Sequence, residues 1–458
     1  MTVTPVLDRI DADLPLAIQR LQALLRIPSI STDPAYNDAC DEAADWLVSE
    51  LQSIGADASK RPTPGRPMVV GHLDGDGPEV LFYGHYDVQP VDPLELWDTP
   101  PFEPELQNTP KGQVIRGRGT ADDKGQLMTF VEACRNWIAE HGRLPVKVTF
   151  FFEGEEESGS PSLIPFLEEN ADELRKEVAL ICDTGLFNDE VPAIIASLRG
   201  MLGQEVILRG ASRDLHSGHY GGAAANPIKV LSHILASLHD EAGRVTIPGF
   251  YDGVPDLTPE RRAEWEALGF NTASFLGDVG LSHPAGEQGF SALEATWARP
   301  TCEMNGIRGG YAGDGFKTVL PAEAAAKISF RLVGDQDPVA IQAAFQAQVR
   351  SLVPPDMDVE FVDHGASKAA MMRMEHPLFA KTKAALTEEW GLPATFTAAG
   401  GSIPVAGYFQ SILGMDSILA GWGKDDDGLH SPNEKYDVES FHKGTRSWAR
   451  VLGKIAEG

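Results

Sequence analysis

Residues that can bind metal ions follow several short apolar segments of this sequence. They are His85 and Asp87 after 79–84, Glu153 and Glu155 to Glu157 after 146–152, Asp183 after 178–182, His430 after 417–420, and Asp122 and Asp123 before a helical segment at 126–140. Imidazole and carboxylate groups are common ligands of zinc, manganese and similar divalent ions. The pattern therefore indicates a metal-dependent reaction centre.

Each of these residues, taken alone, has an ordinary structural explanation. His85-Tyr86-Asp87 could be a turn, the glutamates at 155–157 a solvated face, and Asp122-Asp123 a cap for the following helix. The apolar run before the glutamates, however, must be buried on both sides, so these carboxylates lie at an inner edge of the sheet. There they would repel one another unless a cation neutralised them. Five such positions at equivalent strand ends favour the functional interpretation.

The elements around these residues alternate between helix and strand over the first 196 residues. Helical spacing of apolar residues is found at 14–25, 41–54, 126–140 and 162–169, and short apolar runs are found at 67–71, 79–83, 146–152 and 178–182. This alternation predicts an α/β domain with a largely parallel sheet covered by helices on both faces. Open parallel sheets carry their reactive groups beyond the carboxyl ends of the strands.

The pattern changes after residue 196 and returns beyond residue 400. Strand-like segments at 203–208, 324–332 and 357–362 and helical segments at 227–238 and 338–352 predict a small open sheet with helices on one side, interrupted by an irregular stretch at 243–299. A short strand at 417–420 and a helix from Val438 then resume the first pattern. We expect one domain of residues 1–196 and 399–458, with residues 197–398 inserted into it.

The composition excludes several classes of partner. The 458 residues carry a formal net charge of −29, which disfavours binding to nucleic acid or to anionic membranes. No apolar run reaches the roughly 18 residues of a membrane span, and the N-terminus lacks the pattern of a secretion signal. We therefore expect a cytoplasmic protein. The four scattered cysteines are expected to be buried thiols rather than disulfides or zinc ligands.

Ten motifs, in order along the chain, resemble those of the M20 family of metallopeptidases, and most closely its carnosine-type dipeptidases. They are GHYDVQP, GRGTADDKG, FEGEEESGS, CDTG, DLHSGHYGG, NGIRGG, KTVLP, ISFRLV, GGSIPV and GLHSPNEK. The resemblance implies a zinc-peptidase-like α/β catalytic domain that binds two metal ions. It also implies that the inserted domain is a ferredoxin-like α+β lid that mediates dimerisation.

Carried over to this sequence, the resemblance implies two divalent ions per subunit, Zn²⁺ or alternatively Mn²⁺, that share Asp122. One ion would also bind His85 and Asp183, and the other Glu157 and His430. In the family, the peptide bond that corresponds to Asp122-Asp123 is cis. One shared carboxylate and a mixture of oxygen and nitrogen ligands suit such a pair of ions.

The resemblance also assigns the proton transfers. Alignment of the glutamate run with the family's E-E-S-G-S selects Glu156 as the general base and Glu157 as the ligand. Glu156 would take a proton from water and pass it to the leaving amine. Asp87 would orient His85 through the second ring nitrogen of that histidine. Glu155 is interpreted as solvated.

Substrate contacts are implied in and near the inserted domain. His216 would reach the active site of the other subunit of a homodimer and stabilise the oxyanion. Arg331 would pair with the substrate carboxylate, and Thr318, Ser402 and His364 match further positions that contact substrate. Where the carnosine-type relatives have an acidic residue before GGSIPV, this chain has Ala398 and Ala399, which weakens the transfer of their substrate preference.

We therefore predict an exopeptidase that hydrolyses the peptide bond of dipeptides. An aminoacylase or an N-acyl or N-carbamoyl amino acid amidohydrolase could use the same site. A metal-binding scaffold without turnover is a third interpretation, which the complete ligand set together with Glu156 disfavours.

Overall fold

The computed structural model describes residues 1–277, 279–400 and 403–457, and these residues divide into two units. The first unit contains Met1–Ala196, Met372–Thr397 and Tyr408–Gly458, and the second contains Ser197–Met371 and Ala398–Gly407.

The chain up to the first boundary between the units, after Ala196, contains both helices and strands, as the sequence predicts. The helices are α1 (Thr4–Leu25), α2 (Asn37–Ser53), α3 (Lys124–His141), α4 (Leu163–Glu169) and α5 (Ala171–Leu174). The strands are β1 (Asp57–Arg61), β2 (Met68–Leu73), β3 (Glu79–His85), β4 (Glu105–Thr109), β5 (Gly112–Arg116), β6 (Lys147–Glu153), β7 (Val178–Ile181) and β8 (Ala193–Leu198).

The segment from residue 200 to residue 371 forms the following elements. Its strands are β9 (Gly200–Arg209), β10 (Leu215–His216), β11 (Thr301–Gly309), β12 (Val319–Leu320), β13 (Glu323–Leu332), β14 (Asp358–Ser367) and β15 (Ala370–Met371). Its helices are α6 (Ser217–Tyr220), α7 (Pro227–Ala236), α8 (Pro259–Glu266), α9 (Thr272–Gly277), α10 (Ala292–Trp297) and α11 (Pro338–Leu352). Helices α8 to α10 lie in the stretch that the sequence analysis left irregular.

The remaining chain belongs to the first unit except for Ala398–Gly407, which belongs to the second. It forms α12 (Pro377–Trp390), β16 (Thr395–Ala399), α13 (Pro404–Tyr408), β17 (Ser417–Leu419), β18 (Lys435–Asp437) and α14 (Val438–Ala456).

The main sheet, most of whose strands belong to the first unit, runs in the order β1-β2-β6-β3-β7-β17-β8-β15, and β16 also pairs with β8. Its centre is parallel, because β3 pairs in parallel with β6 and β7, and β7 with β17. The flanking pairs are antiparallel, so the sheet is mixed rather than uniformly parallel. In register, His85 lies opposite Glu153 and Tyr83 opposite Ile181. The carboxyl ends of three strands therefore meet at one edge.

Aromatic packing covers this sheet on both faces. Phe150 of β6 lies 5.9 Å, centroid to centroid, from Phe130 of α3. The next residue, Phe151, stacks at 5.6 Å on Phe166 of α4. Successive strand residues point to opposite faces, so α3 and α4 lie on opposite sides of β6. This burial fixes the strand ends beneath the loops that carry the polar residues.

The core of the second unit is an antiparallel sheet in the order β11-β13-β9-β14, against which α7 and α11 pack. The chain order of its strands and helices is that of a ferredoxin-like fold, as predicted. Apolar residues such as Leu202, Phe330, Leu332 and Phe345 form its core. Arg331, between Phe330 and Leu332, therefore lies on the opposite face of the sheet.

The second boundary between the units differs from the predicted one. The sequence predicts an insertion of residues 197–398, but Met372–Thr397 belongs to the first unit and Ala398–Gly407 to the second. Helix α12 packs against α14, with Trp390 Nε1 donating to Ser447 Oγ at 3.0 Å and Arg450 Nε lying 2.6 Å from Glu389 Oε2. These side-chain contacts between distant segments decide where α12 belongs.

The four cysteines are buried free thiols, as predicted. Among the described residues, no helix is both long enough and apolar enough to span a membrane.

Candidate metal centre

Within the described ranges, two groups of histidine and acidic side chains share Asp122. One contains His85 and Asp183, and the other contains Glu157 and His430, with the ligand atoms of each group within 4.8 Å of one another. Asp122 Oδ1 lies 3.1 Å from His85 Nε2, and Asp122 Oδ2 lies 3.0 Å from His430 Nε2. The two oxygens of one carboxylate thus face different histidines, which is the arrangement expected of a bridging ligand.

The folding of the first unit brings these residues together from five places. His85 is the last residue of β3, Asp183 follows β7, and Glu157 lies in a 3₁₀ turn that follows β6. Asp122 ends the loop before α3, and the peptide bond between Asp122 and Asp123 is cis. His430 lies in the loop before β18 and has a positive φ of 59°. The parallel sheet therefore supplies three of the positions, and two loops supply the others.

Crowding of buried acids perturbs the pKa values of this cluster. Burial and the nearby charge of Asp122 raise the pKa of Asp183 to about 8. Burial also raises the pKa of Glu156 to about 7, although His85 opposes this shift. Hydrogen bonds with Asp122 and Glu157 raise the pKa of His430 to about 10. Burial acts against ionisation of Asp122, but its hydrogen bonds with His430 and His85 outweigh burial and hold its pKa well below the usual range.

These shifts have a common origin, which is an excess of carboxylates in a small buried volume. The raised pKa values of Asp183, Glu156 and His430 favour the protonated form of each group, which reduces the negative charge of the cluster. Divalent cations would provide the same compensation, since they neutralise clustered carboxylates directly. The donor set of carboxylate oxygens and imidazole nitrogens also fits Zn²⁺ or Mn²⁺. The residues present therefore fit a pair of divalent ions.

A third acidic cluster differs from the two groups around Asp122, because lysine side chains supply its counter-charge. Asp426, Asp427 and Asp437 also lie close enough to hold an ion. The ammonium group of Lys435, however, lies 2.6–2.7 Å from all three of these carboxylates. Lys111 also lies 2.8 Å from Asp426 and Lys424 lies 3.2 Å from Asp437. Three ammonium groups therefore face the three carboxylates, which supports a structural role for this cluster.

Asp87 connects the end of β3 with the glutamate turn. Its two carboxylate oxygens accept the backbone N–H groups of Glu156 at 3.2 Å and Glu157 at 3.0 Å. His85 Nδ1 lies 3.1 Å from the backbone carbonyl of Asp87 and 3.5 Å from its carboxylate. The shorter contact of the histidine is thus with the main chain, and the side chain of Asp87 mainly fixes the turn of Glu156 and Glu157.

The neighbouring glutamates of the turn have different environments. Glu157 Oε2 lies 3.3 Å from His430 Nε2 and accepts the side-chain amide of Gln89 at 2.7 Å. Glu155, interpreted from the sequence as solvated, is in fact buried at 5% exposure. Its carboxylate accepts the backbone N–H groups of Arg66 at 2.9 Å and Ser162 at 3.1 Å. The solvated interpretation was wrong because the Arg66 donor is distant in sequence from the turn and the chain folds back at Ser162 to supply the other donor.

Three further polar residues lie near the cluster, and two of them, Gln89 and Glu434, are not among the candidates that the sequence predicts. Gln89 contacts Glu157, as above. Asp123 is buried and its carboxylate accepts the backbone N–H of His85 at 3.1 Å. Glu434 is buried and accepts the backbone N–H of Asp122 at 3.2 Å. All three residues lie in the motifs given above. A polar residue close to a proposed ligand in the same motif was therefore the sequence signal that could have identified them.

The remaining predicted site residues belong to the second unit. His216 in β10 pairs with Val319 of β12, and the backbone N–H of Ser217 donates to the carbonyl of Thr318 at 3.1 Å. His216 and Thr318 are therefore neighbours.

The other two lie on separate strands of the sheet in this unit. Arg331 is half-buried on β13, opposite Met201. His364 lies on β14, with Nε2 3.5 Å from Glu205 Oε2. Ser402 lies outside the described residues.

Known proteins resemble this chain over nearly its whole length. The model of peptidase family M20/M25/M40 matches residues 81–454, a range that contains all the clustered residues. The Cys-Gly metallodipeptidase DUG1 of Candida albicans is 31% identical, over 99% of this chain and 97% of the relative. The Beta-Ala-His dipeptidase of Homo sapiens is 29% identical, over 96% of this chain and 90% of the relative. The solved structure of the dipeptidase Dug1p from Saccharomyces cerevisiae has a TM-score of 0.82 at 29% identity, covering 100% of this chain and 99% of that chain.

Proposed function

The chain belongs to peptidase family M20/M25/M40, and we propose that it is a metal-dependent dipeptidase. The observation that carries this proposal is the position of Asp122, whose two oxygens face His85 and His430 in two overlapping groups of ligands. A carboxylate with a purely structural role is not expected to face two separate groups of potential metal ligands. The named dipeptidase relatives, which match nearly the whole chain, support the same reaction.

The proposed centre holds two divalent ions, with Zn²⁺ as the first choice and Mn²⁺ as the alternative. His85 and Asp183 would hold one ion, Glu157 and His430 the other, and Asp122 both. When bound, the ions would supply Lewis acidity, which lowers the pKa of water and polarises the scissile carbonyl. The side chains that would hold the ions are fixed by the sheet edge and by the contacts of Asp87 and Gln89.

Glu156 is the proposed general base. It would accept a proton from the attacking water and donate it to the nitrogen of the leaving amine. Its position supports this role, because Asp87 fixes the backbone of Glu156 next to that of the ligand Glu157. The role requires a carboxylate that is close to the ions without being committed to them.

The proposed substrate is a dipeptide with a free carboxylate. Arg331 would bind that carboxylate in bidentate fashion, and Thr318, Ser402 and His364 would contact the rest of the substrate. His216 would act from the partner subunit of a homodimer and stabilise the oxyanion. Ala398 and Ala399 replace the acidic position of the carnosine-type enzymes, so we propose an α-dipeptide such as Cys-Gly rather than β-Ala-His.

An assay of the purified protein with chelation tests the proposal. The substrates are Cys-Gly, β-Ala-His, an N-acetyl amino acid and an N-carbamoyl amino acid, each with Zn²⁺ or Mn²⁺. We expect hydrolysis of Cys-Gly that is lost with a chelator and restored by a divalent ion. Turnover by protein shown to be metal-free would contradict the metal mechanism. Preference for the acyl or carbamoyl substrates would replace the dipeptidase assignment with the amidohydrolase one.

A further inference from the structure

The carboxylate of Glu434 is fully buried and uses both of its oxygens. Oε1 accepts the backbone N–H groups of Ala121 at 2.9 Å and Asp122 at 3.2 Å. Oε2 accepts the backbone N–H of Gly119 at 2.9 Å and the guanidinium of Arg118 at 2.8 Å. One side chain thus accepts three backbone N–H groups and one guanidinium of the loop that contains the shared carboxylate.

Arg118 extends this connection to a further loop of the site. Its second terminal nitrogen donates to the carbonyl of Pro90 at 3.0 Å, and its guanidinium lies 5.3 Å from the ring centroid of Trp97. Pro90 follows His85 and Asp87 in the same motif. The pair of Glu434 and Arg118 therefore joins the loop after β3 to the loop before α3.

Glu434 also belongs to the loop that carries His430, four residues earlier in the chain. The carbonyl of Glu434 accepts the backbone N–H of Gly117 at 3.0 Å. The next residue, Lys435, pairs with Arg116 between β18 and β5. The loops that carry Asp122 and His430 consequently meet at one buried carboxylate, and Arg118 connects them to the loop after β3.

We propose that Glu434 is a positioning residue that holds the Asp122 loop so that the two oxygens of Asp122 face His85 and His430. This inference rests on the proposed function, because it presupposes a metal centre at Asp122. Without the carboxylate, buried backbone N–H groups and a buried guanidinium would lose their acceptor, which is costly in a dry interior. The loop would then move to satisfy these donors, and Asp122 would move with it.

Glu434→Gln is the test variant, since the amide keeps the size of the side chain but lacks the charge and one acceptor oxygen. The readouts are Co²⁺ affinity from titration of metal-free protein and the visible absorption spectrum of bound Co²⁺. We expect Co²⁺ affinity to fall about 10- to 100-fold, as for other residues that orient metal ligands. The Co²⁺ spectrum should also change, because the geometry around Asp122 changes.

Glu132→Gln is the matched control. Glu132 is another fully buried glutamate, and its Oε1 lies 2.6 Å from Arg20 Nε. It lies on α3 and contacts arginines rather than the Asp122 loop. Both variants remove a buried charge, so both should lower the unfolding temperature. The control, however, should leave the Co²⁺ affinity and the Co²⁺ spectrum unchanged.

Equal losses of Co²⁺ affinity in the two variants, or wild-type Co²⁺ binding by Glu434→Gln, would overturn the positioning role. Failure of the wild-type protein to bind Co²⁺ would overturn the metal centre itself and the inference with it. If Glu434→Gln does not fold, Arg118→Lys replaces it, since lysine keeps the charge but cannot contact Glu434 and Pro90 together. That variant should lose Co²⁺ affinity to a smaller extent, and unchanged affinity would overturn the inference.

Discussion

At the scale of the residue, the counter-charge distinguishes the proposed reaction centre from a structural cluster. Asp427 shares its cluster with Lys435, whose ammonium group lies 2.7 Å away. Asp122 lies among acids and imidazoles, and the raised pKa values of Asp183 and His430 favour proton binding by this cluster. A lysine is a permanent part of the fold, whereas protons exchange with a metal ion. The same residue types therefore produce a structural contact in one place and a candidate ion site in the other.

Exchange of the two neighbouring glutamates for glutamine should separate their roles. Glu156→Gln should abolish turnover with both ions retained, because the amide keeps the shape but cannot accept a proton. Glu157→Gln should instead weaken one ion, since the carboxylate facing His430 is lost. The measurements are kcat and the metal content by elemental analysis. If the two phenotypes are exchanged, the register of the glutamate run is wrong by one.

Arg331 should read the carboxylate of the substrate. Amidation of that carboxylate should lower kcat/KM of the wild-type enzyme. The loss should correspond to about 2–5 kcal/mol of transition-state stabilisation, as expected when a desolvated charge loses its partner. Arg331→Met should be poor with both substrates and should discriminate little between them. The measurement is a double cycle of kcat/KM for the dipeptide and its amide on both enzymes.

Arg209→Met is the control for this cycle, because Arg209 lies on β9 of the same unit and pairs with Glu323 and Glu360 at the surface. The control should discriminate between acid and amide as the wild type does. Additive losses for Arg331→Met would show that this arginine does not bind the carboxylate, and the exopeptidase assignment would lose its main support.

At the scale of the element, the first turn of α3 determines where the Asp122 loop can lie. Gly125 is the second residue of α3, and a Cβ built on it would lie 1.9 Å from the backbone oxygen of Thr120. The helix and the loop that precedes it thus approach more closely than any side chain would permit. The sheet edge places His85 and Asp183, and this close approach places Asp122 above them.

Gly125→Ala should therefore displace the loop. We expect the free energy of unfolding to fall by about 1–3 kcal/mol, as in other overpacked sites, together with a loss of metal affinity. Gly453→Ala in α14 is the control, since its Cβ would meet the nearest atom, of Trp137, at 3.4 Å. Alanine favours helices over glycine by roughly 1 kcal/mol, so the control should be neutral or stabilising in chemical denaturation. Equal stability of both variants would show that the loop tolerates displacement.

At the scale of the whole molecule, the first unit is assembled from separate stretches of chain on either side of the second unit. His430 comes from the last of these stretches, whereas the other proposed ligands come from the first. The second ligand group is therefore completed only when the carboxyl-terminal stretch has folded onto the amino-terminal one. The strongly negative net charge of the whole chain disfavours a polyanionic partner.

Mixing two inactive variants should reveal whether His216 acts across a dimer. His216→Ala and Glu156→Gln subunits should recover activity on exchange, because one site of each hybrid would contain both groups intact. Random exchange in equal amounts should restore about a quarter of wild-type activity. The control mixture of Glu156→Gln with Glu157→Gln should recover none, since both residues belong to the same proposed site. If no activity is recovered after verified subunit exchange, His216 acts within its own chain or does not take part in the reaction.

The sequence by itself determined the features that depend on local pattern. Hydrophobic spacing predicted most of the longer helices and strands of both units, because each periodicity reflects a buried face. It did not predict α8 to α10 or α12. The motifs identified the family, and the strand ends predicted that His85, Asp183 and the glutamates would meet. These inferences need only the identity of nearby residues and the geometry of a parallel sheet.

Only the tertiary structure decided which partner each polar group obtains. The donors that bury Glu155 come from Arg66 and Ser162, and Lys435 removes Asp426 and Asp427 from consideration as an ion site. Helix α12 joins the first unit through contacts with α14, and Glu434 reaches the Asp122 loop from the far end of the chain. The partners of Glu155, of the Asp122 loop and of α12 include residues that are distant in sequence. The free energy of burying a polar group depends on such partners, and a local pattern does not identify them.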